Sequence, residues 1–207
     1  MSFLLLATAV AVAAGAAGAF IARRSAASKE PAPPVPAAPP VAPPPAGLES
    51  LPVTLGDVVS IDTPAAREER WLEGVIVARE GKEIVGAVFV APEGRDVQAV
   101  AAFAPPRKQI AWLSPADVAG LSLGGAELPS TLEIGGAPMR RRARLPVSLE
   151  RAGRGAPAVD SQAIWAEYEA AGRAVTIILQ LSGRTLAWSG LLCDPGEYER
   201  MGSGDAA

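Results

Sequence analysis

The 207-residue chain has no histidine and a single cysteine, Cys193. Without imidazole it has no Ser-His-Asp or Cys-His nucleophile and no histidine general base. Without a second thiol it has no intramolecular disulfide and no zinc site built on imidazole or paired thiolates. Basic charge is not in excess either: 19 Lys and Arg stand against 22 Asp and Glu, a net charge of −3. A protein that coats nucleic acid needs a broad surplus of Lys and Arg, so no nucleic-acid partner is expected, and no residue pattern calls for a cofactor.

What is present divides the chain into unlike segments: an anchor over 1–24, a linker over 25–49, two β-modules over 50–121 and 129–200, and a disordered tail over 201–207. Residues 3–22 carry no charge. As a helix they would span about 30 Å, the thickness of a bilayer core. Arg23, Arg24 and Lys29 follow this run and no basic side chain precedes it. By the positive-inside rule the body is then cytoplasmic, in a single-pass protein of the inner (cytoplasmic) membrane whose partner is the membrane through residues 3–22. A cleaved signal peptide is the competing reading, because Ala14-Gly15-Ala16 and Ala17-Gly18-Ala19 resemble cleavage sites; it would make the body an exported envelope module. Ala7, Ala11, Gly15 and Ala19 line one helix face with small side chains and allow helix-mediated pairing into a homodimer, although an alanine-rich chain produces this spacing by chance. Nine of the 20 prolines fall within residues 31–46. Such a stretch forms a polyproline spacer reaching up to about 50 Å.

After residue 50, short alternating runs separated by Gly, Pro and Asp predict an all-β fold. The expectation is two related antiparallel β-modules packed as a sandwich or barrel. Strands are expected over 54–61, 70–79, 83–91, 96–104, 109–113, 131–134, 142–151, 159–170, 173–182 and 185–192. One short helix is expected from Ser114 as N-cap, through Pro115 and Asp117, to Gly120. The halves repeat: Phe89, Val97 and Trp112 align with Tyr168, Val175 and Trp188, with small slips in turns.

The second half's Trp165-Ala-Glu167-Tyr168, followed by Leu186-Ala-Trp188-Ser-Gly190, resembles bacterial membrane-tethered proteins with tandem β-modules of unknown function and a Trp-x-Glu-Tyr signature. Leu55-Gly56-Asp57-Val58-Val59 is similar to the start of such modules. The first half carries Gly86 and Val88 where the signature would place Trp165 and Glu167. The resemblance implies a fold and no reaction.

Alternation puts Trp165, Glu167 and Glu169 on one strand face, an aromatic beside two carboxylates that could contact a sugar, cation or peptide; the competing reading packs Trp165 against the other module. Arg140, Arg142 and Arg144 would share a face opposite Leu145, Val147 and Leu149, a guanidinium stripe suited to anionic lipid or an acidic partner, or to solvent. Glu167 with Glu169, or Asp194 with Glu197, could serve glycoside hydrolysis if they faced each other about 5–9 Å apart across a cleft. Asp57 and Asp62 lack an ordered metal-binding loop. Cys193, before the turn Asp194-Pro195-Gly196, reads as an inert thiol. The expected role is a membrane-anchored, non-catalytic binding or scaffold protein with a protein partner. The alternatives are an exported module recognising glycan or peptide, or a carboxylate-dependent hydrolase.

Overall fold

The computed structural model describes residues 44–93, 96–118 and 128–202. The predicted anchor, its small-residue stripe, nearly all of the proline-rich spacer, and Gly120 lie outside these residues. Among the described residues no helix is long and apolar enough to cross a membrane. The described chain is all-β, with twelve strands: β1 (Val58–Asp62), β2 (Arg67–Trp71), β3 (Gly74–Glu80), β4 (Glu83–Glu93), β5 (Asp96–Phe103), β6 (Ile110–Pro115), β7 (Thr131–Ile134), β8 (Ala137–Gly153), β9 (Gln162–Glu169), β10 (Ala174–Gln180), β11 (Thr185–Cys193) and β12 (Tyr198–Met201).

Eight of them close an antiparallel barrel in the order β3-β4-β5-β6-β11-β10-β9-β8, sealed by the pairing of β8 with β3; β7 extends β8, and β12-β1-β2 form a separate three-stranded sheet. Each half of the chain thus gives the barrel four consecutive strands, β3 to β6 and β8 to β11. Closure demands close backbone approach at the β3–β8 seam, where Gly74 opposes Gly153. A Cβ at Gly74 would lie 2.1 Å from the Arg154 carbonyl oxygen, and one at Gly153, where φ is +75°, 2.1 Å from that of Glu73. Glycine is therefore required on both sides of the seam.

Alternation sorts the side chains into an inside and two outsides. One cluster draws on all eight barrel strands, among them Ile76, Val88, Ala101, Leu113, Leu149, Trp165, Ile177 and Trp188, and fills the interior. A second lies between the outer wall of β3 to β6 and the small sheet, and includes Leu48, Leu51, Val59, Phe89, Trp112 and Cys193. A third covers the outer wall of β9 to β11 with Leu128, Leu132 and Met139 packed on Tyr168 and Ile178. Burying these faces is the main favourable term, about 25 cal/mol per Å² of apolar surface removed from water.

Several expectations change. The strand expected over 70–79 breaks at Leu72 and Glu73 into β2 and β3, which belong to different sheets. β12 was not expected; it pairs with β1 through Val58 to Met201 and Ile61 to Tyr198. No helix begins at Ser114: Ser114 and Pro115 pair with Ser189 and Trp188 at the end of β6, so ladder pairing prevails over the capping pattern. The alignment of Trp112 with Trp188 fails by one residue. Trp112 opposes outward Val100, whereas Trp188 opposes inward Ile177. Seven residues, 103–109, separate the last β5–β6 pair, and four, 181–184, separate the last β10–β11 pair. An odd difference turns every later side chain to the opposite face.

Candidate functional site

The structure places Trp165 inside the barrel, 1% exposed, so it presents no surface for contact. Its neighbour across the interior is Gly86, whose Cβ would meet the Trp165 ring at 3.3 Å. Glu167, two residues further along the same inward face, reaches the barrel mouth and is 4% exposed. There Arg107, from the β5–β6 connection, donates to Glu167 at 2.5 Å and to Glu169 at 3.3 Å, while Arg142 meets Glu169 at 3.1 Å and Glu167 at 3.8 Å. Arg107 also lies 3.8 Å over the Phe103 ring. Burial pushes the Glu167 carboxyl above its ordinary pKa, against the lowering effect of Arg107. Glu167 and Glu169 are thus joined by guanidinium groups, not parted by a cleft that could hold a sugar. The mouth is filled by these ion pairs, with Glu167 buried and Glu169 and Arg142 at its rim.

The arginine stripe does not form. A bulge between Arg141 and Ala143 leaves Arg140 opposite Glu169 and Arg144 opposite Ala166, so the two arginines fall on different sides of the strand, with Arg142 in the bulge turned to the carboxylates of the mouth. The bulge adds one residue and reverses the alternation. Beyond it Leu145, Val147 and Leu149 pack inward as expected.

Sequence reasoning missed a groove of about 500 Å³ between the β1–β2 hairpin and the barrel wall at β11. Its apolar lining includes Ile61, Trp112, Leu191 and Leu192. Leu191 is 55% exposed. Beneath it the buried Arg70 guanidinium donates to the carbonyls of Ala99 (2.6 Å) and Leu113 (2.7 Å) and to Gln98 (3.0 Å), and lies 3.9 Å over the Trp112 ring. Trp112 Nε1 donates to Glu68 at 3.1 Å. At the other end Arg173 pairs with Glu197 and donates to the Leu192 carbonyl. This pairing and the backbone N–H of Asp194 pull Glu197 down to about 2. Burial raises the Cys193 thiol. The signal for Arg70 was its place on the buried side of an alternating strand; nothing in Thr185–Cys193 distinguishes exposed Leu191 from its buried neighbours.

Asp57, 1% exposed, accepts from Thr54 N at 2.7 Å and meets Arg200 Nε at 2.7 Å, tying β12 to the loop before β1. Asp62 stands apart from it, beside Arg67. Among the described residues no three acidic or cysteine side chains converge as metal ligands would. No protein-family model, curated protein or solved structure matches the chain.

Proposed function

We propose that the chain is a single-pass inner-membrane protein whose barrel, carried on a proline-rich stalk at the cytoplasmic side, binds a protein partner and catalyses nothing. The uncharged run over 3–22 with basic residues behind it supports the tether and its orientation. The resemblance to tethered tandem β-modules agrees with it.

The observation that carries the binding role is the groove at Leu191. It gathers Ile61, Trp112, Leu191 and Leu192 into one apolar lining, and a contiguous apolar recess on a barrel wall supports a contact surface where a lone exposed leucine would not. Its surroundings are unsuited to catalysis: a carboxylate at a pKa of about 2 cannot act as a general acid near neutrality, and a thiol whose pKa is raised by burial is a poor nucleophile.

A photo-crosslinking residue at position 191 of the full-length chain in its native membrane should give a discrete protein adduct, abolished by Ile61→Asp in the same groove. No adduct, or an adduct indifferent to Ile61, would refute the groove. Conversion of the captured partner by the purified chain would replace binding with catalysis. Alkaline phosphatase fused to the C-terminus should be inactive, and an active fusion would reverse the orientation.

A further inference from the structure

The outer face of the three-stranded sheet carries a second surface, separate from the groove at Leu191. Met201, Val58 and Trp71 stand directly opposite one another across β12, β1 and β2 and form an apolar row. Trp71 is 58% and Met201 43% exposed. The next row on that face is Glu199, Ser60 and Glu69, where Arg67 donates to Glu199 at 2.5 Å and to Ser60 at 2.7 Å and stands 3.7 Å from Glu69. Beside Trp71 a shallow groove of about 340 Å³ is lined by Val58, Glu69, Glu73, Ala91 and Pro92. Glu73 is half-buried, and among the described residues no donor or cation meets its carboxylate.

A half-buried carboxylate beside an open indole face is a half-built cation site. The ring's negative face attracts an ammonium or guanidinium, and the carboxylate neutralises it; an anion or a neutral ligand would leave Glu73 desolvated and unpaired. β2 is also an edge strand of its sheet, open to an extended segment. We infer that the groove beside Trp71 takes a lysine or arginine side chain of an extended partner polypeptide, with Trp71 and Glu73 as its contacts and the row of Val58 and Met201 supporting the partner's apolar side chains.

The inference does not depend on the groove at Leu191 and is tested apart from it. The probe is a ten-residue peptide of alternating lysine and valine, with the same peptide acetylated on every lysine as control. The full chain is held in a neutral detergent. Trp71 is the exposed member of four tryptophans, so acrylamide quenching reports on it. In the native chain the lysine peptide should shield Trp71; affinities are read from the fluorescence anisotropy of a dye on the peptide, and by that measure Trp71→Ala and Glu73→Gln should each weaken binding roughly three- to thirty-fold, with Trp71→Phe retaining part of the affinity. Unchanged thermal melting of the variants shows that the fold is intact. Equal binding of the acetylated peptide, or affinity indifferent to both substitutions, would overturn the inference.

Discussion

The two halves of the barrel line its interior with different volumes. β3 to β6 turn inward four alanines, Ala78, Ala99, Ala101 and Ala111, beside Ile76, Val88, Phe103 and Leu113, while β8 to β11 turn inward a single alanine, Ala163, and both interior tryptophans, Trp165 and Trp188. Gly86 and Trp165 make the contrast concrete, since they lie across the interior from each other: the tryptophan of one half occupies the space that the missing side chain of the other leaves. The first half keeps its own tryptophans, Trp71 and Trp112, outside the barrel. An eight-stranded barrel leaves room for one filling of side chains, and here that filling is divided unevenly between the halves.

Breaking that division should have the largest effect. Trp165→Ala is expected to cost about 3–5 kcal/mol, because the alanine-rich wall opposite cannot collapse into the void. Gly86→Ala should cost about 1–3 kcal/mol by overpacking, since its Cβ would sit 2.9 Å from the Ala102 carbonyl and 3.3 Å from the Trp165 ring. Urea unfolding of Gly86→Ala, of Trp165→Phe and of the two combined should reveal a coupling of about 0.5–3 kcal/mol. Strict additivity would mean that the two sites do not share one space.

The outer walls sharpen the same contrast. The first half is covered by a sheet held through Arg70, and the second by a segment held through Tyr168, whose hydroxyl donates to the Pro129 carbonyl at 2.7 Å. Arg70→Met leaves two buried carbonyls without their donor and should cost about 2–3 kcal/mol. Tyr168→Phe orphans one and should cost about 1 kcal/mol. Both are read from the urea midpoint at constant slope.

The all-β class, most of the strands and the inward faces of Ile177, Leu179, Val147 and Leu149 were legible in the sequence, because alternation reports burial directly. What sequence could not supply was parity and partnership. The bulge at Arg142 and the unequal β5–β6 and β10–β11 connections each shift alternation by one residue, and so dissolve the arginine stripe and separate Trp112 from Trp188. A strand containing Trp165, Glu167 and Glu169 looks half polar. It is buried because Arg107, sixty residues away in the chain, neutralises the carboxylates. The groove at Leu191 depended on β2 turning back on β1 as a separate strand, whereas the sequence reads as one run over 70–79.

The two ion-paired carboxylates give opposite pH dependence. Glu167 has its pKa raised above 4.5 by burial, so the folded state keeps its proton to higher pH than the unfolded chain. Its contribution to stability is complete below about pH 4.5 and is lost as pH rises through the folded value. Glu197, lowered from 4.5 to about 2 by Arg173, contributes above pH 4.5 and loses that contribution as pH falls toward 2. Urea midpoints measured across pH should show Glu197→Gln flattening the acid limb and Glu167→Gln flattening the limb above pH 4.5. If Glu167→Gln leaves that limb unchanged, the carboxyl is ionised throughout and Arg107 outweighs burial.

The smallest effect belongs to the tryptophan that neither half buries. Trp71 stands on the far side of the small sheet from the barrel and shares its cross-strand row with Val58 and Met201. Replacing it removes contacts already half in water, so Trp71→Ala should shift stability by no more than about 0.5 kcal/mol. Trp165→Ala is expected to cost at least six times as much. The pair therefore separates two placements of a large aromatic: one fills volume that the other half of the barrel lacks, and the other stands exposed on the outer face of the small sheet. A loss of 2 kcal/mol or more on Trp71→Ala would erase the distinction and make Trp71 part of the sheet's own packing.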